Sequence, residues 1–275
     1  MTRRRLLIPL VVLLGLALAK HALAQDDEFG SAVLQSVGEV YALLPGSPAV
    51  VGVHPALSGL ADTRTALELS YRQPFGLSEL EDLTLAAARQ IGRWRAGGTV
   101  TRSGEAGLYQ EYRLTGAIAL TPVRRLAIGA SLMYVSAEFG DNLSRYAGGF
   151  GTLSVAARPW PSLHLAAALH SITLDRVYEN DPSDPVVELS AAWTAGEEVA
   201  LGARWRRTRE GDHRFGLGQV LSLTDNVEFL AGLRFDPVRY ALGGRFRYRG
   251  GALVYTYEGH PELGGTHAIG LAWSR

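Results

Sequence analysis

From Thr65 to Arg275 the chain repeats one local design, in segments of about ten residues. Apolar side chains alternate with polar or small ones, and Gly, Pro, Asp or Asn closes each segment. Successive side chains of a β-strand point to opposite faces, whereas a helix would scatter the same residues around its circumference. The clearest segment runs from Arg239 to Arg249. Tyr240, Leu242, Phe246 and Tyr248 share one parity there; Arg239, Arg245, Arg247 and Arg249 share the other. The same opposition sets Leu67, Leu69 and Tyr71 against Glu68, Ser70 and Arg72. It sets Tyr112, Leu114, Ile118 and Leu120 against Glu111, Arg113 and Thr115, and Val227, Phe229, Leu233 and Phe235 against Glu228 and Arg234. Leu163, Leu165 and Leu169 oppose His164 and His170, while Val187, Leu189 and Trp193 oppose Glu188 and Ser190. Ile269, Leu271 and Trp273 are read against small residues and His267.

These segments predict 14 strands, near 65–72, 82–91, 93–101, 108–120, 124–137, 147–157, 162–172, 186–194, 198–207, 213–223, 227–235, 239–248, 252–258 and 266–274. The fold class that fits is all-β: a transmembrane, antiparallel, up-and-down β-barrel over residues 64–275. Every second connection is short: Ile91-Gly92-Arg93, Thr121-Pro122-Val123, Pro159-Trp160-Pro161, Ala195-Gly196-Glu197, Thr224-Asp225-Asn226 and Arg249-Gly250-Gly251. The opposite set includes the longer stretches Glu138 to Tyr146, Thr173 to Pro185, Arg207 to Asp212 and Gly259 to Gly265, with Asp236-Pro237-Val238 a short exception. Tight turns on the periplasmic side and longer loops outside are the arrangement of an outer-membrane barrel. On the apolar parity, Trp94, Trp193, Tyr248 and Trp273 fall near the short-turn ends. Tyr71, Tyr112, Tyr134, Trp205, Phe215, Phe235, Tyr240 and Tyr257 fall near the loop ends. Two aromatic belts at the membrane interfaces are expected of such a barrel. A β-sandwich or lipocalin-like barrel also alternates, but its outward face should be polar, and it does not account for the belts.

Residues 1–24 read as a secretory signal peptide: three arginines within Met1 to Arg5, an apolar run from Leu6 to Ala19, then Ala22-Leu23-Ala24 before Gln25. The apolar run is shorter than the roughly 20 residues a spanning helix needs. With Arg3, Arg4, Arg5 and Lys20 removed, the 27 basic residues fall to 23 against 27 acidic ones, a net charge of −4. A mildly acidic chain argues against a nucleic-acid partner. With no cysteine, there is no disulfide framework and no thiolate metal site.

Residues 25–63 do not alternate. Ser31 to Leu44 is weakly amphipathic and suits a short helix, Pro45-Gly46-Ser47-Pro48 is a turn, and Val50 to Leu60 is mostly apolar. The segment is either a plug inside the barrel lumen or a partner-binding arm in the periplasm. The plug is preferred, because apolar surface gains most by leaving water.

Catalytic signatures are weak. There is no Gly-x-Ser-x-Gly elbow, no His-Glu-x-x-His helix and no Gly-Lys-Ser/Thr phosphate loop. A His170-Ser171 dyad, as in a membrane phospholipase, is disfavoured because adjacent strand residues point to opposite faces. His164 and His170 share a parity but lie about 20 Å apart along a strand, too far for one metal. His260 and His267 flank the last loop and suit turn stabilisation. No cofactor, metal site or enzymatic activity is expected. The luminal parity instead carries Arg239, Arg245, Arg247 and Arg249 on one strand, with Glu228 and Arg234 on its predecessor and Glu258 on its successor. These form either an internal ion-pair ladder or an anion-favouring lining of a permeation path.

His54-Pro55-Ala56, followed by Leu67-Glu68-Leu69-Ser70-Tyr71, resembles the Asn-Pro-Ala segment before the first strand of PorV/PorQ-type outer-membrane proteins. The last hairpin looks like theirs too, with Tyr255-Thr256-Tyr257, Leu263-Gly264-Gly265-Thr266-His267, Ile269 and Leu271. That group is similar in turn to the FadL/OmpP1 long-chain fatty-acid transporters. The resemblance implies a 14-stranded barrel whose N-terminal residues, His54, Pro55 and Ala56 among them, pack in its lumen. It also implies transport or surface presentation of a hydrophobic or secreted ligand. His54 stands where the group has Asn, and large extracellular loops are absent, which weighs against a surface fatty-acid site. Expected partners are outer-membrane lipids, the barrel-assembly machinery, and a hydrophobic small molecule or secretion cargo. The alternatives are a secretion-linked barrel without a conducting lumen, an open diffusion porin and, last, a membrane lipid hydrolase.

Overall fold

The computed structural model describes residues 31–105, 109–139, 144–174, 185–207, 211–235 and 237–275; the signal-peptide reading of residues 1–24 lies outside them. The wall comprises β1 (Thr65–Gln73), β2 (Asp82–Ile91), β3 (Trp94–Glu105), β4 (Tyr109–Val123), β5 (Leu126–Phe139), β6 (Ser144–Trp160) and β7 (Leu163–Thr173). It continues with β8 (Val186–Ala195), β9 (Val199–Arg207), β10 (His213–Thr224), β11 (Val227–Phe235), β12 (Arg239–Tyr248), β13 (Gly251–His260) and β14 (Gly264–Ser274). Each strand pairs with its neighbours in sequence, and β1 closes on β14 from Ala66↔Ser274 to Gln73↔His267. Closure satisfies every strand edge, the condition for placing backbone in hydrocarbon. An even strand number returns the chain to its starting end, where Arg64 N and Thr65 N donate to Arg275 O at 2.7 and 2.9 Å. We call this the turn end and the opposite one the loop end.

The alternation read from the sequence sorts the side chains as a membrane barrel requires. Leu67, Leu85, Leu114, Ile128, Leu132, Leu153, Leu189 and Leu271 stand exposed on the outer face, Leu132 at 64 %. Glu68, Arg72, Glu188, Arg204, Arg234 and Glu258 are buried inside. No helix among the described residues is long and apolar enough to cross a membrane. Trp94, Trp193, Tyr248 and Trp273 are exposed on the outer face near the turn end, joined by Trp160. Tyr71, Tyr112, Tyr134, Phe215 and Tyr240 are exposed near the loop end. Trp205, Phe235 and Tyr257 are half-buried: Trp205 stacks on His213 at 5.6 Å, and Tyr257 packs against Tyr240 and His267.

Four readings are corrected. The stretch Glu138 to Tyr146 is not all loop, because β5 runs to Phe139 and β6 starts at Ser144. The hairpin therefore stands taller than hydrophobicity alone would place it, since ladder bonds continue where the side chains have become polar. Thr121-Pro122-Val123 and Pro159-Trp160 belong to strands, not turns; the register shifts between Leu120 and Val123 and between Ala157 and Trp160. A proline lacking its N–H is tolerated at such irregularities. Arg249 is not luminal: it sits exposed in the β12–β13 turn at φ 47, its guanidinium 5.2 Å from the Tyr248 ring. Gly250 follows at φ 84, and two successive positive φ values are what a two-residue hairpin turn demands. Finally, His267 shares the outward parity of Ile269, and its Nδ1 lies 2.7 Å from the Tyr255 hydroxyl.

Candidate functional site

The lumen is occupied by the chain's own N-terminal residues. Ser31 to Leu60 forms α1 (Ala32–Ser36), a 3-10 turn at Tyr41–Leu43, α2 (Val50–Val53) and α3 (Pro55–Gly59). Apart from Leu43 and the turn at Pro45, Gly46 and Ser47, these residues are buried. Val33, Leu34, Val37, Tyr41, Val50 and Leu57 pack with inward wall residues such as Ala127, Ala166, Leu230 and Val254. Helices this short leave most of their backbone polar groups without intrahelical partners. Wall hydroxyls supply them. Thr256 Oγ1 donates to Ala32 O at 2.9 Å, Ser131 Oγ to Gly52 O at 3.3 Å and Thr121 Oγ1 to Gly59 O at 3.0 Å. Ser154 Oγ accepts from Ala56 N at 3.0 Å. Ser31 caps α1 by accepting from Leu34 N at 3.4 Å and donates to buried Glu68, which also accepts from Ser47 and Ser70 at 2.9 and 3.0 Å. Pro55 opens α3 at the position where its missing N–H costs nothing.

Two inward glycines show how close the approach is. A Cβ on Gly232 of β11 would lie 2.1 Å from Gly38 N, and one on Gly129 of β5 would lie 2.7 Å from Ala56 N. Backbone meets backbone there, and any side chain would push the segment off the wall.

The inward charges fall into separate clusters rather than one ladder. Near the loop end, Glu39 bridges Arg204 at 2.9 Å and Arg234 at 3.0 Å. Arg234 also reaches Glu258 at 2.5 Å, which lies 3.5 Å from Arg239. On the other side Arg204 lies 3.9 Å from Glu188, which in turn lies 3.5 Å from His170 Nε2. Tyr41 completes the centre: its hydroxyl accepts from Arg204 at 3.3 Å, and the Arg204 guanidinium lies 5.5 Å from its ring centre. Burial alone would raise the Glu39 carboxyl, but the charges of Arg234 and Arg204 hold it below its ordinary value. It therefore stays ionised. Near the turn end, Arg245 and Arg247 both pair with Glu228. The sequence placed Arg234, Arg239 and Glu258 in the lumen, and Glu188 on the inward parity of its strand, but Arg204 and Glu39 were missed. The inward parity of Arg204 on β9 was available as a signal; no local signal marked Glu39.

His54 is fully buried between α2 and α3, and neither ring nitrogen has a hydrogen-bond partner. Burial pushes its imidazole down to about 4, so the ring is neutral, edge-on to His170 at 6.5 Å between centroids. Ser171 sits at φ 56 in an irregularity of β7 where the register with β6 shifts, while His170 turns toward Glu188. Among the described residues no group of three His, Asp or Glu side chains has metal-binding geometry. Beside the turn end, between the N-terminal residues and the β12–β14 wall, lies a cavity of about 500 Å³ bordered by Val33, Leu44, Glu68, Arg245 and Val254.

No protein-family model matches the chain, and no curated relative matches it in sequence. Solved structures do. The Pseudomonas putida toluene transporter TodX superposes with a TM-score of 0.67 at 12 % identity, covering 92 % of this chain and 99 % of that one. The monoaromatic hydrocarbon channel CymD gives 0.63 at 12 % identity, covering 88 % and 96 %. A Pseudomonas aeruginosa FadL homologue gives 0.57 at 14 % identity, covering 86 % and 93 %. At such identities the likeness is one of fold: the closed antiparallel β-barrel that this chain and those three proteins share.

Proposed function

We propose that the chain is a non-catalytic outer-membrane transporter that carries a hydrophobic ligand through a gated lumen. The observation that supports this most is the burial of Ser31 to Leu60 inside the closed barrel. A lumen filled by an apolar segment and paired charges disfavours the free diffusion of sugars and ions that defines an open porin. It suits a path that opens by moving that segment. The toluene transporter and the monoaromatic hydrocarbon channel that share the fold suggest the ligand class. In this reading the two outer rings of Trp, Tyr and Phe are the interface belts, the loop end faces outward, and assembly passes through the barrel-assembly machinery.

Purified full-length chain in liposomes tests the proposal. A small aromatic hydrocarbon should equilibrate into an internal hydrophobic trap several-fold faster than in empty liposomes, with no swelling in sugars. Swelling without accelerated hydrocarbon entry would instead make the chain a porin. The finer PorV/PorQ-type kinship, with presentation of a secreted cargo, rests on His54-Pro55-Ala56 and the last hairpin. Co-purification of a surface protein in place of a small hydrophobic molecule would favour it.

A further inference from the structure

The outer wall carries an apolar trough that lies outside the lumen. On β7, β8 and β9 one outward position near mid-strand is alanine, and Ala167, Ala191 and Ala203 form the floor of this trough of about 590 Å³. Leu165, Leu189, Trp205 and Phe215 rise around it. The registers Val155↔Ala167, Leu165↔Ala191, Leu189↔Trp205 and Phe215↔Trp205 show its course. It begins near the turn end on β6 and climbs obliquely to the loop end on β9 and β10. At about 4.8 Å between neighbouring strands, β6 to β10 spans about 19 Å, which suits an extended acyl chain.

Beyond the loop end of the trough the outer face is no longer apolar. Arg207 is exposed there and lies directly across from His213, whose ring stacks on Trp205 at 5.6 Å and 21°. Among the described residues Arg207 has no ion pair, and the neighbouring Asp212 has a partner of its own. A hydrocarbon trough with a guanidinium and an imidazole one outward position beyond its Trp205 and Phe215 walls is complementary to an acyl chain joined to an anionic headgroup. An unfilled trough would forfeit the dispersion contacts of its walls, so hydrocarbon occupies it in any bilayer. The charge decides which lipid stays.

We infer that β6 to β10 form a binding site for one acylated, phosphate-bearing lipid of the outward leaflet, its acyl chain in the alanine-floored trough and its phosphate on Arg207. The site stands whether or not the lumen transports.

The test uses a full-length chain in which Trp94, Trp160, Trp193 and Trp273 are replaced by Phe, so that Trp205 alone fluoresces. Phosphatidylcholine liposomes receive a minor fraction of bromine-labelled lipid, either phosphatidylglycerol or phosphatidylcholine. Phosphatidylglycerol should quench Trp205 several-fold more strongly. Arg207→Glu should remove the preference, and so should Ala191→Leu with Ala203→Leu, which fills the trough with groups the membrane tolerates. Equal quenching by the two lipids, or a preference that survives either change, overturns the site. Heat-dependent gel mobility verifies the barrel in every variant. If the single-tryptophan chain does not assemble, native mass spectrometry of the unaltered protein and of Arg207→Glu decides instead: one retained phosphatidylglycerol on the first and none on the second is expected, and equal retention overturns the proposal.

Discussion

Glu39 lies 195 residues before Arg234 in the chain, yet its carboxylate accepts a hydrogen bond from that guanidinium at 3.0 Å inside the barrel. A second arginine, Arg204, holds the same carboxylate from β9. One aperiodic glutamate therefore ties the N-terminal residues to three strands of the wall, because Arg234 passes the linkage on to Glu258 of β13.

Removing that charge should loosen the luminal segment without opening the wall. Glu39→Gln leaves two buried guanidiniums short of a counter-charge, a change that costs about 3 kcal/mol where a buried pair is broken. The chain has no cysteine, so an Ala42→Cys reporter is the only thiol. Its labelling by a water-soluble maleimide should rise by up to about two orders of magnitude in Glu39→Gln, the factor that 3 kcal/mol corresponds to in a local opening equilibrium. Unchanged labelling would remove Glu39 from the role of latch.

Sterics should do the same from the opposite side. Gly232→Val places methyl groups where Gly38 backbone now lies, and overpacking of this kind costs about 1–3 kcal/mol. The expected outcome is a folded barrel with displaced Ser31 to Leu60, seen as raised single-channel conductance in planar bilayers. A variant as silent as the parent would show that the segment yields locally and stays seated.

The turn-end charges bear on selectivity only if ions pass them. Arg245 and Arg247 pair with Glu228, and Glu68 borders the same cavity, so two guanidiniums face two carboxylates in this stretch of lumen. With Gly232→Val opening the lumen, residual current should discriminate little between ions of opposite sign, and adding Arg245→Glu with Arg247→Glu should create a preference for cations. Reversal-potential measurements in a salt gradient check it. An unaltered potential would make these arginines supports of the wall and nothing more.

The outer face gives a prediction that separates membrane from water. Leu132 stands exposed midway along β5, and arginine at the bilayer midplane of a barrel costs about 2–4 kcal/mol. Near the interface, at Trp193, the charge itself costs about 0–1 kcal/mol. Denaturant unfolding from lipid vesicles should therefore show Leu132→Arg far less stable than the parent. In a water-soluble barrel an arginine replacing an exposed leucine would be close to neutral.

The wall was legible because its information is local. A period of two says which face each side chain takes, and hydrocarbon outside with polar groups inside then specifies closure. That is why all 14 strands, Tyr71, Tyr134 and Trp273 on the lipid face, and Arg239 and Glu258 within it could be read from residues a few positions apart. Parity failed where the chain leaves the ladder, at Arg249, carried into a turn by a positive φ. His267 is a different case, since its own parity already placed it outside. The lumen was legible only as a list of faces. Which carboxylate meets which guanidinium depends on how a non-repeating segment threads between strands far away in sequence, and no local period encodes that. The sequence by itself determined a β-barrel with an apolar exterior and a charged interior. Only the tertiary structure decided that Glu39 stands between Arg204 and Arg234, because their meeting is set by packing across the closed wall and not by any neighbour in the chain.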